Sequence, residues 1–193
     1  MRRMQGFTLL ETLAAISLLG LLMLLVAGSF TSSGRTLQRT SEQAARLEQL
    51  RAAQGFLRRA LQEMQAFRHF HGEPRQMQFL APVPIGIGGQ LKRHRLTVEQ
   101  QAVGTWAMRV TLLDRDGRQP WGDPQLLFDR LREVRFAYRG LDEMRRDTGW
   151  LERWPWPERL PAQVRIQADA EGSVRWPTLS VSVRTSELTG IDP

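Results

Sequence analysis

Between residues 7 and 30 the chain reads FTLLETLAAISLLGLLMLLVAGSF, and Glu11 is its only charge. A charged side chain in a membrane helix costs roughly 2.5–3.5 kcal/mol at mid-bilayer and less near the interface. Glu11 lies one helical turn from the start of the run, so it reads either as an interfacial carboxylate or as one that meets a cation. Asp114, Asp116 and Asp123 begin like a calcium loop, but Gly117 falls at the fourth position, Arg118 at the fifth and Gln125 at the twelfth. A calcium loop of the EF-hand type needs an acceptor at five, glycine at six and glutamate at twelve. The run Asp116-Gly117 therefore reads as a hairpin turn, and no metal site is expected. The cluster Gly86-Ile87-Gly88-Gly89 lacks the spacing and the strand-turn-helix setting of a phosphate-binding loop.

With no cysteine there is no disulfide, thiolate or cysteine-zinc chemistry. The three histidines, His69, His71 and His94, sit in arginine-rich polar stretches, and no serine, histidine and acid fall in a suggestive order. No catalysis, cofactor or small-molecule substrate is expected. The remaining unusual feature is residues 149–161, where Trp150, Trp154 and Trp156 stand among Pro155, Pro157 and Pro161. Two readings are open: the rings cover one end of a sheet while the prolines set the chain direction, or they are rigid anchors for a partner. Arg145, Arg146, Arg153 and Arg159 nearby could hold phosphates beside stacked bases, but a nucleic-acid partner is disfavoured.

What must position these groups is legible in the apolar pattern. The uncharged stretch 12–30 is long enough to cross a bilayer, which takes ~20 residues, and Arg2 and Arg3 ahead of it keep that terminus cytoplasmic. An ordinary secretory signal has an apolar region of only ~7–15 residues, so this one reads as a retained anchor. The helix should continue to about residue 67. Leu37, Ala44, Leu47, Leu50, Leu57, Leu61, Met64 and Phe67 keep one stripe, with Arg35, Arg39, Glu42, Arg46 and Arg58 largely off it. Gly20, Gly28 and Gly34 are its weak points. Strands are expected at 76–81, 90–99, 105–113, 126–128, 134–139, 162–169 and 173–184, with a short helical turn between the fourth and fifth, a loop at 82–89 and a turn at Glu171-Gly172. The result is one α+β domain behind an anchor.

The residues Gly6-Phe7-Thr8-Leu9-Leu10-Glu11 behind a basic leader resemble the signal of type IV pilins and type II secretion pseudopilins. The stretches LFDRLREVRFAYRG (127–140) and RLPAQVRI (159–166), with the tryptophans between them, are similar to the J-type minor pseudopilins of type II secretion systems. That resemblance implies a pilin-like fold, a long N-terminal helix packed on antiparallel sheet. It implies a leader at 1–6 cut after Gly6 by the prepilin peptidase, N-methylation of the new N-terminus Phe7, a membrane and filament helix at 7–30, and a periplasmic domain at 31–193. Glu11, fifth in the mature chain, would pair with a neighbouring subunit's N-terminal amino group, since opposite charges attract strongly at low dielectric. The implied role is structural: with the I- and K-type minor pseudopilins, joined by the H-type, the protein would form the tip complex that starts pseudopilus assembly. It would sit in the inner membrane with its C-terminal domain periplasmic and support export of folded proteins. Trp150, Trp154 and Trp156 are the candidate partner contact. The alternative is a minor type IV pilin acting in adhesion or DNA uptake.

The chain has 26 arginines, one lysine and a formal charge of +7. Outside the leader and anchor, 25 basic residues face 19 acidic ones, so the basic balance belongs to the domain itself and calls for a partner or a solubility role.

Overall fold

A computed structural model of the chain describes residues 9–65, 70–101 and 104–184, with all side chains there except those of 24–39 and Ile87. The chain divides into two compact units, Met1–Ala45 and Arg46–Pro193. One helix, α1 (Leu9–Gln62), makes up the described part of the first and opens the second. It runs unbroken through Gly20, Gly28 and Gly34, each of which gives up about 1 kcal/mol of helix propensity against alanine.

In the second unit α1 buries Leu50, Ala53, Leu57, Ala60 and Leu61, with Met64 just beyond its end. The expected stripe is corrected at its near end: Ala44 is exposed and Leu47 is 36% exposed. Leu37's side chain and Phe67 lie outside the described residues. Arg46, expected off the stripe, instead faces the sheet with its side chain only 10% exposed. The helix also ends at Gln62 rather than near 67. Gln65 N–H donates to the Leu80 carbonyl at 2.9 Å, and the Gln62 carbonyl accepts from Arg184 N–H at 3.2 Å. The sheet takes the backbone groups that another helical turn would have used.

Among the described residues seven antiparallel strands follow in chain order: β1 (His71–Gly72), β2 (Gln76–Pro82), β3 (Leu91–Gln100), β4 (Trp106–Leu113), β5 (Gln125–Arg139), β6 (Gln163–Ala170) and β7 (Leu179–Ser182). Alternation sets the inner face, as with Leu96 and Val98, Phe136 and Tyr138, Val164 and Ile166, Leu179 and Val181. These join the helix residues in one core.

Two expected elements differ. The separate strands at 126–128 and 134–139 are one 15-residue strand, β5, with no helical turn. Register shifts against β4 and β6 and a positive φ of 50° at Arg130 mark bulges there. A bulge inserts unpaired residues that break the period of two while the strand continues. β7 is shorter than the expected 173–184 because Pro177 has no N–H to pair. Ahead of it Trp176 is buried edge-to-face on Phe128, 5.4 Å between centroids. The loop at 82–89 contains a 3-10 turn, Ile85–Ile87.

The sheet curls until β1 meets β5. Phe70 and Tyr138 lie edge-to-face at 5.5 Å, and a Cβ on Gly72 would stand 2.7 Å from the Tyr138 ring.

Candidate functional site

In the first unit the described stretch from Leu9 to Met23 offers an apolar surface. Nine large apolar side chains of α1 from Leu9 to Met23 are 55–84% exposed, far more contiguous apolar surface than water tolerates. The hydroxyls among them bond to the helix backbone: Thr12 Oγ1 donates to the Leu9 carbonyl and Ser17 Oγ to the Leu13 carbonyl, each at 2.8 Å. Hydroxyls satisfied within their own helix suit an apolar surrounding. Glu11 is exposed in the first turn, where a carboxylate is favoured by the helix dipole. Gly6 and Phe7 lie outside the described residues. Among the described residues no helix is long and apolar enough to cross a membrane; the rest of the expected span, 24–30, is outside the described side chains.

In the second unit the tryptophan-proline segment closes the curled sheet. β4 begins at Trp106, opposite Leu131, so the edge of β5 beyond that point needs other partners. Tyr138 and Leu151 exchange two N–H···O bonds of 2.8 Å, Trp154 N–H donates to the Gly72 carbonyl at 2.9 Å, and Phe136 N–H donates to the Pro74 carbonyl at 2.8 Å. Trp154 is 5% exposed, its Nε1 donating to the Arg159 carbonyl at 2.8 Å and its ring 5.0 Å from Trp156, edge-to-face. Trp150 and Trp156 are half-buried, and the Arg165 guanidinium covers Trp150 at 3.6 Å. Tyr138 donates its hydroxyl to the Glu73 carbonyl at 2.8 Å; burial, then the Glu73 charge, pushes its pKa up.

Beside this closure lies an open groove of about 920 Å³, bordered by His71, Glu73, Arg75, Glu99, Arg135 and Glu152. Its carboxylates are met by arginines, Arg153 with Glu73 at 2.7 Å and Arg109 with Glu99 at 3.4 Å, while the Arg75 guanidinium lies over Trp106 at 4.0 Å. At the neighbouring hairpin Arg139 grips Asp147. That hydrogen bond, followed by Gly149 N–H, holds the Asp147 carboxyl down at about 2.

The calcium-like stretch is a turn, as its sequence suggests. Gly117 N–H donates to the Asp114 carbonyl at 3.0 Å, and the Asp114 carboxylate accepts Arg118 N–H at 2.7 Å. Among the described residues no three acids or histidines are grouped to hold a metal.

Two buried polar features escaped the sequence. Arg46 bonds the Asp129 carboxylate at 2.6 Å and its carbonyl at 2.7 Å, with its guanidinium 4.3 Å from the Phe128 ring centre. Its register four residues before Leu50 was the available signal. His94 is fully buried, stacked on Phe79 at 5.3 Å, with Nδ1 3.1 Å from the Lys92 carbonyl. Burial lowers its pKa to about 4 against a small opposing effect of that carbonyl.

A family model for the prokaryotic N-terminal methylation motif matches residues 1–27. Over a 201-residue alignment covering 95% of each chain, the protein is 33% identical to the type II secretion system protein J of Xanthomonas campestris pv. campestris. Because that similarity takes in the apolar helix and the curled sheet together, the chain belongs to the type II secretion system protein J family of pseudopilins.

Proposed function

We propose that this protein is a structural subunit of the pseudopilus tip complex, with a pilin-like fold and no catalytic role. The prepilin peptidase removes residues 1–6, Phe7 becomes the methylated N-terminus, residues 7–30 anchor in the inner membrane and then bundle in the filament, and residues 31–193 lie in the periplasm. The observation that carries this reading is the apolar helix of the first unit, with nine exposed large side chains, internally satisfied hydroxyls and the single carboxylate Glu11. Such a surface needs lipid or other apolar helices. Its carboxylate would receive a neighbouring N-terminal ammonium, with I-, K- and H-type subunits as neighbours. The half-buried rings of Trp150 and Trp156 would add to the lateral contact, Trp156 packed on Trp154 and Trp150 under the Arg165 guanidinium.

The methylation motif is common to secretion pseudopilins and type IV pilins. The likeness to a secretion protein along nearly the whole chain favours the secretion subunit and export of folded proteins. The test is Glu11→Ala in cells, followed by cross-linking to I- and K-type subunits and by assay of exported protein. The variant should be processed and membrane-associated yet absent from the complex, with export reduced at least tenfold. Normal incorporation would overturn the role of Glu11, and failure of the unaltered chain to cross-link to either subunit would overturn the tip assignment.

A further inference from the structure

The outer edge of β7 pairs with no further strand among the described residues, and arginines without acidic partners among those residues flank it. Ladder geometry identifies its open groups. Val183 N–H donates to the Ala162 carbonyl at 2.9 Å, and the same register pairs Val164 with Val181 and Ile166 with Leu179. In an antiparallel ladder hydrogen-bonded and non-hydrogen-bonded pairs alternate. Ser180 and Ser182, opposite Arg165 and Gln163, therefore turn their N–H and C=O groups away from β6. The next residue in that series, Arg184, confirms the direction, since its N–H leaves the sheet for the Gln62 carbonyl of α1. Among the described residues the backbone groups of Ser180 and Ser182 have no partner, and both residues are exposed.

The cations along this edge come from two elements. Gln54 Nε2 donates to the Pro177 carbonyl at 3.0 Å, so contacts at Gln54 and Gln62 place one helix line beside segment 177–184. Arg51 and Arg58 fall on that line by helical spacing, Arg175 stands two residues before the segment and Arg184 ends it. All four are exposed. None has an ion pair among the described residues. An exposed strand edge is a template for pairing, and flanking positive charge is a common guard against self-association. Here the guard is selective: it repels a second copy of a basic chain and attracts an extended acidic one.

We propose that the β7 edge takes an extended, acidic segment of a partner protein as an eighth strand. Ser180 and Ser182 would make the backbone ladder, and Arg58 and Arg184, supported by Arg51 and Arg175, would meet its carboxylates. The inference does not depend on which secretion subunit or exported protein supplies the segment.

The experiment uses the full chain in detergent and a fluorescent heptapeptide of alternating valine and glutamate, with a valine-lysine peptide as control. The acidic peptide should bind with salt-sensitive affinity and the control should not. Ser182→Pro removes one outward N–H at an edge, where proline is tolerated, and should weaken binding at least tenfold. Arg58→Glu should do the same. Amide exchange at Ser180 and Ser182 should slow at least tenfold on binding while Val181 is unchanged, a readout that stands even if the proline variant folds poorly. Equal binding of both peptides, unchanged exchange at the two serines, or association of the chain with itself along this edge would each overturn the proposal.

Discussion

Arg46 shows how a residue's charge can hide its place. It continues the buried stripe of α1, but its type reads as solvent-facing until Asp129 is seen to receive it. Asp129→Ala should cost about 2 kcal/mol in denaturant unfolding, because it leaves a largely buried guanidinium unpaired. Arg46→Met, which keeps the packing and removes the charge, should cost less, and the reverse order would show that the ion pair is not what holds the contact. His94 makes a pH prediction. Its pKa lies near 4 in the fold against about 6.5 when unfolded. Above pH 6.5 neither state is protonated and the group contributes nothing to the pH slope. As pH falls from 6.5 towards 4 the unfolded chain takes up the proton first, so stability declines by up to about 3 kcal/mol and then levels. His94→Phe should flatten that decline in thermal melts between pH 7 and 4; an unchanged slope would assign it to other groups.

At the scale of elements, the strands with clean alternation were legible: β2, β3, β4 and β6 lie within a residue or so of their expected bounds. The failures have local causes. β5 hides its continuity behind bulges, and α1 stops where Leu80 and Arg184 claim its backbone. The tryptophan-proline segment was recognisable as unusual, but only the fold shows it bonded to β1 and β5 at once. Trp154→Ala should therefore cost about 3–5 kcal/mol, the usual penalty for emptying a buried aromatic site, while Trp150→Ala, half-buried, should cost clearly less. Near-UV circular dichroism during denaturation separates the two. Equal small losses would mean that the closure contributes little to stability.

At the scale of the whole molecule, the basic charge and the apolar helix are separate properties with separate consequences. If the helix enters a bilayer, Leu18→Arg with Leu19→Arg should oppose insertion by roughly 5–7 kcal/mol on insertion scales, and cell fractionation should show the chain lost from the membrane. Retention there would argue against a span through these residues. The apolar start of the helix, its lone carboxylate, the methylation signature and the α+β class were legible from sequence alone, because each depends on neighbours a few residues apart: an apolar run, a fixed spacing, a period of two. Only the tertiary structure decided that the sheet closes on itself through residues 151–154, that Arg46 is interior, and that arginines of α1 and of segment 175–184 lie along β7, which pairs with no further strand among the described residues. Those facts rest chiefly on contacts between residues 65 to 123 positions apart, such as Tyr138 with Glu73 and Gln54 with Pro177. Local patterning does not encode such contacts; the closing of long loops around one core does.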